Sequence, residues 1–184
     1  MADFDKYYPT LLKAEGGYAS ADFAKNHKDS GGETYRGIAR NYNPDWAGWK
    51  IIDDYKAKNG LPKWNAIIPD ANLDLLCKQQ SKKMFWDKMM LDQVANQSVA
   101  EYIMDFGFNS GIGASVKAVQ RIVGASVDGG MGTHTLEAIA KYDQRSLFNQ
   151  LINTRVALIT NSSFIDARNK PGLIARAKSF SFIP

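Results

Sequence analysis

The sequence predicts an all-α protein, and three observations carry that prediction. Apolar residues recur at three- and four-residue steps over most of the chain, as in Phe4, Tyr7, Tyr8, Leu11 and Leu12. Helix stop signals, Gly16-Gly17, Gly60-Leu61-Pro62 and Gly124, fall between those stretches. No β-type alternation runs longer than about four residues, which leaves room for at most a small β-hairpin between Asp29 and Ile38.

Taken in order, the first helix carries Pro9 inside its pattern, so it kinks or properly begins there, and it stops at Gly16-Gly17. The polar stretch from Tyr18 to Gly32 reads as an ordered loop. Asn43-Pro44 offers an N-cap with proline at the first helical position, opening a helix toward Lys58. A long helix is predicted from about Pro69 to Lys88, with Leu73, Leu76, Cys77, Gln80, Met84 and Phe85 on one stripe. Ser98-Val99-Ala100-Glu101 has the form of a capping box for a helix to Asn109. A short helix ends at Gly124, Thr133 caps one through Lys141, Asp143 opens one to about Ser162, and the last covers Leu173 to Phe180. Residues 1–95 and 96–184 are expected to form two lobes with a cleft where they meet. No Pro/Ser-rich linker separates them, so they are expected to pack together rather than fold independently.

The bulk properties remove several function classes. The 184 residues are 45% hydrophobic and 23% charged, an ordinary globular balance. No apolar run approaches the roughly 20 residues that a membrane-spanning helix needs. Cys77 is the single cysteine and lies in an apolar pattern, so it reads as a buried, inert thiol. His27 and His134 are far apart and no cluster has metal spacing, so neither a metal nor a cofactor is expected. A net charge of +4 favours an anionic partner, but the basic residues are scattered and no nucleic-acid-binding motif is present. The start, Met1-Ala2-Asp3-Phe4-Asp5, has acids where an export signal has bases, so synthesis in the cytoplasm without a standard cleaved signal is expected.

The chemistry concentrates in two neighbouring stretches, Glu15-Gly16-Gly17-Tyr18 and Asp29-Ser30-Gly31-Gly32-Glu33-Thr34-Tyr35-Arg36-Gly37-Ile38. Glu15 closes the first helix, where the negative end of the helix dipole disfavours a carboxylate's charge. That placement, with apolar neighbours, favours the protonated form that a general acid requires. Asp29 brings a second acid beside two glycines, and Thr34 a hydroxyl. An acid on the leaving oxygen, with a second group handling water on the other face, is what glycoside hydrolysis needs. Read alone, Asp29 also fits a turn residue bonding its own backbone, and Asn109 a helix end. Among the aromatics, Tyr18 and Tyr35 are the candidates for stacking on a sugar, because they sit beside the proposed acids.

Glu-Gly-Gly-Tyr followed by Asp-x-Gly-Gly-x-Thr-x-x-Gly-Ile resembles the N-terminal motif of glycoside hydrolase family 108, lysozyme-like muramidases of bacteria and their phages. The resemblance implies a lysozyme-like helical fold with Glu15 as catalytic acid. The broader phage-lysozyme group adds an aspartate and a threonine that position the attacking water in an inverting reaction, and by similarity those would be Asp29 and Thr34. The substrate implied is peptidoglycan, cut between N-acetylmuramic acid and N-acetylglucosamine, with a lytic transglycosylase or a non-catalytic wall-binding or secretion-related module as alternatives. In the second half, Asp105-Phe106-Gly107-Phe108-Asn109-Ser110-Gly111, Ala118-Val119-Gln120-Arg121 and Val127-Asp128-Gly129-Gly130 are similar to the predicted peptidoglycan-binding region that accompanies that family. Asp105 and Asn109 are its candidate sugar ligands. Action at the cell wall would then require a holin, a secretion system or lysis.

Overall fold

The computed structural model describes residues 1–26 and 30–184. Nine α-helices and a small antiparallel sheet order the described residues: α1 (Phe4–Ala14), β1 (Tyr18–Ala19), α2 (Ala21–Asn26), β2 (Thr34–Tyr35), β3 (Ile38–Ala39), α3 (Gly48–Asn59), α4 (Ala71–Ser81), α5 (Gln97–Ser110), α6 (Ile112–Val123), α7 (Thr133–Lys141), α8 (Gln144–Asn161) and α9 (Lys170–Lys178). The mainly helical class read from the sequence is the class observed. Two structural units divide these elements: Asp5–Met84, and Phe85–Pro184 together with Met1–Phe4.

In the Asp5–Met84 unit the sheet has strand order β1-β2-β3, with Tyr18 opposite Tyr35 and Tyr35 opposite Ile38. Side chains alternate across a strand, so this row of three shares one face, and all three are buried. Ala19, Thr34 and Ala39 form the other row and are partly exposed. β2 and β3 are joined by Arg36 at φ +46° and Gly37 at φ +77°, the signs that a two-residue type I′ hairpin demands. The buried row packs on Trp46, Trp49 and Ile52 from α3 and its approach, and on Ile68, Leu73 and Cys77. Each large aliphatic in that set contributes about 1.5–3 kcal/mol by leaving water. Burial pushes the Cys77 thiol up to about 12.

In the other unit α5 is buried nearly all round, from Ser98 through Gly107, as suits a central helix. It packs against α6 and α8, and α8 carries α9. The Tyr102 hydroxyl donates to the Ala177 carbonyl of α9 at 3.1 Å.

Several boundaries differ from the sequence reading, each for a local reason. The helix predicted from Asn43-Pro44 begins at Gly48 instead. The Asn43 side chain is occupied by the Ala39 carbonyl and Gln80, and its own carbonyl accepts from the Trp49 indole at 2.6 Å. The long helix predicted to Lys88 gives way after Ser81 to a π-helical turn, Lys82–Trp86. α5 is capped by Asn96, which accepts from Val99, while Ser98 accepts from Ile183. α7 begins at Thr133 with no side-chain cap. The stretch from Tyr18 to Gly32, read as loop, holds β1 and α2.

Candidate active site

Glu15 stands one residue past α1, and its amide still closes the helical turn onto the Leu11 carbonyl at 3.0 Å. The backbone of Gly16, Gly17 and Tyr18 is pressed against a loop 48 residues further along the chain. Gly17 donates its amide to Asn65 Oδ1 at 2.8 Å, Tyr18 donates to the Ala66 carbonyl at 2.9 Å, and Asn65 donates to the Tyr18 carbonyl at 2.7 Å. The approach leaves no space for a side chain: a Cβ on Gly17 would lie 2.2 Å from the Ala66 oxygen, and one on Gly16 would lie 2.5 Å from Asn65 Oδ1. The two glycines therefore serve close packing as well as helix termination. Asn65 adopts φ +64°, a left-handed conformation that asparagine tolerates. The half-buried Glu15 thus precedes a backbone corner that the Asn65–Ala66 loop holds.

Thr34 lies in β2, partly exposed, and donates its hydroxyl to the Gly32 carbonyl at 3.1 Å. Asp29 lies outside the described residues. The acid between them, Glu33, is only 8% exposed and is heavily engaged. Its carboxylate accepts from the Tyr18 hydroxyl at 2.6 Å and pairs with Lys56 at 2.7 Å and Arg40 at 2.7 Å. Arg40 and Lys56 also both bind Asp53 at 2.8 Å, so two acids and two bases form a network with no net charge. Burial, then the hydrogen bond to Glu33, pushes the Tyr18 phenol well above its ordinary value. The hydrogen bond from Arg40, acting against the cost of burial and helped by Lys56, holds the Asp53 carboxyl below the usual range. Glu33 is accordingly a structural carboxylate that ties β1, β2 and α3 together.

Tyr18 and Tyr35, predicted to stack on sugar, are instead core residues at 2% and 0% exposure. Their rings form the buried face of the sheet, and the Tyr35 hydroxyl accepts from the Ile68 amide at 3.1 Å. Neither ring offers a face to solvent.

A comparison with protein-family models identifies the family. The model described as Glycosyl hydrolase 108 matches residues 8–111. The chain belongs to glycosyl hydrolase family 108. It is therefore a glycoside hydrolase, and a glycan is its substrate. The matched stretch contains Glu15, Thr34, Glu33 and the Asn65–Ala66 brace. Among solved structures, this family 108 chain is similar to that titled "Structure of Brucella abortus SagA", with 25% identity, 97% of this chain and 95% of that chain covered, and a TM-score of 0.61. A search of curated proteins found no match.

The residues singled out in the other unit of this family 108 protein are placed differently from expectation. Asp105 is 1% exposed, and Arg155 donates to its Oδ2 at 2.7 Å while Arg176 grips Oδ1 at 2.7 Å. Arg155 is fully buried, with the rings of Tyr102 and Phe106 each 5.6 Å from its guanidinium carbon. A carboxylate so enclosed is a packing element, not a sugar ligand. Asn109 is exposed, and its amide donates back to the Asp105 carbonyl at 2.8 Å, the helix-end role open to it from sequence. Gln120 is buried and organises the Asp128-Gly129-Gly130 turn, donating to Asp128 at 2.7 Å and accepting from Gly129 at 2.9 Å. Sequence reasoning missed Glu33, Arg40, Lys56 and Asn65. The signal for Glu33 and Arg40 was a pair of opposite charges flanking the β2–β3 hairpin, whereas Lys56 reaches Glu33 from α3, 23 residues on. Asn65 left no local signal.

Proposed function

We propose that this family 108 hydrolase is an N-acetylmuramidase that hydrolyses the β-1,4 bond between N-acetylmuramic acid and N-acetylglucosamine, with Glu15 as general acid. The observation that carries the reading is the setting of Glu15: a half-buried carboxylate at a helix end, beside a corner where Gly17 and Tyr18 are hydrogen-bonded to Asn65 and Ala66, inside the family-matched stretch. A catalytic group needs such pre-positioning, because small misplacements cost large factors in rate. In the proposed reaction Glu15 gives its proton to the glycosidic oxygen as the bond from muramic C1 breaks. Water adds to C1 from the opposite face, oriented by Thr34, and Asp29 takes its proton. The partner is then the glycan strand of bacterial peptidoglycan and the place of action the cell wall, reached through a holin or a secretion system.

The test is clearing of purified peptidoglycan by wild type and Glu15→Gln, with mass spectrometry of the soluble products. Loss of a general acid is expected to lower the rate at least about 100-fold with the fold unchanged. Reducing muramic ends support hydrolysis, 1,6-anhydro ends would assign a lytic transglycosylase, and full activity in Glu15→Gln would remove Glu15 from the mechanism.

A further inference from the structure

Trp46 and Trp49, like Tyr18 and Tyr35, are buried, at 8% and 4% exposure. Two aromatics of the Asp5–Met84 unit are well exposed: Tyr42, which follows β3, and Trp64, on the loop that braces Glu15. Trp64 is 66% exposed, and Leu61 and Ile67 on the same loop are 64% and 53% exposed. Trp64 is not a loose side chain. Its ring stacks on Phe23 of α2, with centroids 5.7 Å apart and an interplanar angle of 27°. The backbone beneath it is a tight turn in which the Ala66 amide donates to the Lys63 carbonyl at 3.0 Å and Asn65 takes φ +64°. With one face on Phe23 and most of its area in water, the indole presents a rigid, open face.

Its position relative to Glu15 is set by the brace. Asn65 binds Gly17 and abuts Gly16. Trp64 is one residue from Asn65 and Glu15 is one residue from Gly16, each a step of about 3.8 Å between Cα atoms. An exposed, pre-oriented indole is costly in water and suits one kind of partner on a glycan hydrolase: the apolar C–H face of a pyranose ring, with polar hydroxyls around its rim. The Phe23 support lowers the ordering cost of binding, because the ring is already held in place.

We propose that Trp64, backed by Phe23, is a stacking platform for a pyranose ring of the glycan strand, a binding subsite beside the bond that Glu15 cleaves. The proposal rests on the muramidase reading for its location next to the cleaved bond. It makes Trp64 a positioning residue that acts on substrate affinity rather than on proton transfer.

The test uses the full chain and purified peptidoglycan sacculi. Binding is measured by co-sedimentation in the Glu15→Gln background, with and without Trp64→Ala, and clearing kinetics are measured in the active background for wild type, Trp64→Ala and Trp64→Phe. Trp64→Ala is expected to raise both the apparent Kd and KM about five- to tenfold, the range one ring contact supplies. Trp64→Phe, which keeps a smaller platform, is expected to fall between. Circular dichroism of both variants is expected to match wild type. Unchanged Kd and KM in Trp64→Ala would overturn the platform. So would a loss of thermal stability or kcat with KM unchanged, since the stack would then be internal packing. If Glu15→Gln clears sacculi like wild type, the assignment of Glu15 fails while the sedimentation result on Trp64 still stands or falls by itself.

Discussion

Each structural unit of this family 108 protein contains a buried carboxylate held by two cations, and the two are solved differently. Glu33 faces Arg40 and Lys56, whose side chains remain 31% and 24% exposed, and Asp53 balances the charge from outside. Asp105 faces Arg155, which is fully buried, and Arg176, which is 21% exposed. The first network can exchange protein partners for water when a member is lost. The second cannot, because the fully buried Arg155 guanidinium lies over the rings of Tyr102 and Phe106 with Asp105 as its acid. Breaking a buried pair is costly mainly through the charge left behind, not through the bond removed.

That difference predicts a ranking. Asp105→Asn keeps the shape but strands Arg155, and is expected to lower the free energy of unfolding by about 3–5 kcal/mol in urea denaturation. A loss no greater than that of the Glu33 variant would break the contrast. Glu33→Gln keeps Asp53 as acceptor for both cations and is expected to cost about 1–2 kcal/mol, with activity falling only as far as the folded fraction does. A rate loss in fully folded Glu33→Gln would instead place the network in the chemistry. The smallest effect is a loss of stability that appears only at alkaline pH. Burial pushes the phenols of Tyr8 and Tyr102, one in each unit, up from 10.0 to about 12. A raised pKa in the folded state contributes stability in full below the unfolded value, and that contribution is lost as pH climbs from 10 toward 12. Each unit is expected to lose stability in that window, read as a falling urea midpoint as the pH is raised. Phenolate appearing near pH 10 with the fold intact would contradict the burial of these rings.

The helices were legible because each extends over several turns and buries a stripe that repeats. Where the element spans less than two of its own periods, the sequence is silent. Each β-strand here is two residues long, so no alternation exists to read, and the inward face of Tyr18 and Tyr35 is decided only by their pairing. α2 has six residues and a single buried position, Ala24. The end of the predicted helix at Lys88 was hidden because a π turn continues the helical spacing of apolar residues with only a small shift. The place of Glu15 at the end of α1, before its glycines, was legible. Its brace was not, because Asn65 meets Gly17 across 48 residues of chain, and Trp64 inherits its place from that meeting. Asp105 was misread for the complementary reason: Arg155 and Arg176, which enclose it, lie 50 and 71 residues away.

One buried atom offers a gauge. At neutral pH the Cys77 sulfur, with its thiol pushed up to about 12, exists as thiolate in a fraction on the order of one in 10⁵, and the side chain is 1% exposed. A thiol reagent must therefore wait for the Asp5–Met84 unit to open. Because the chain holds one cysteine, the labelling rate clocks that opening alone, and the other unit contributes no signal. The half of the molecule that carries Glu15 comes with its own reporter of how often it breathes.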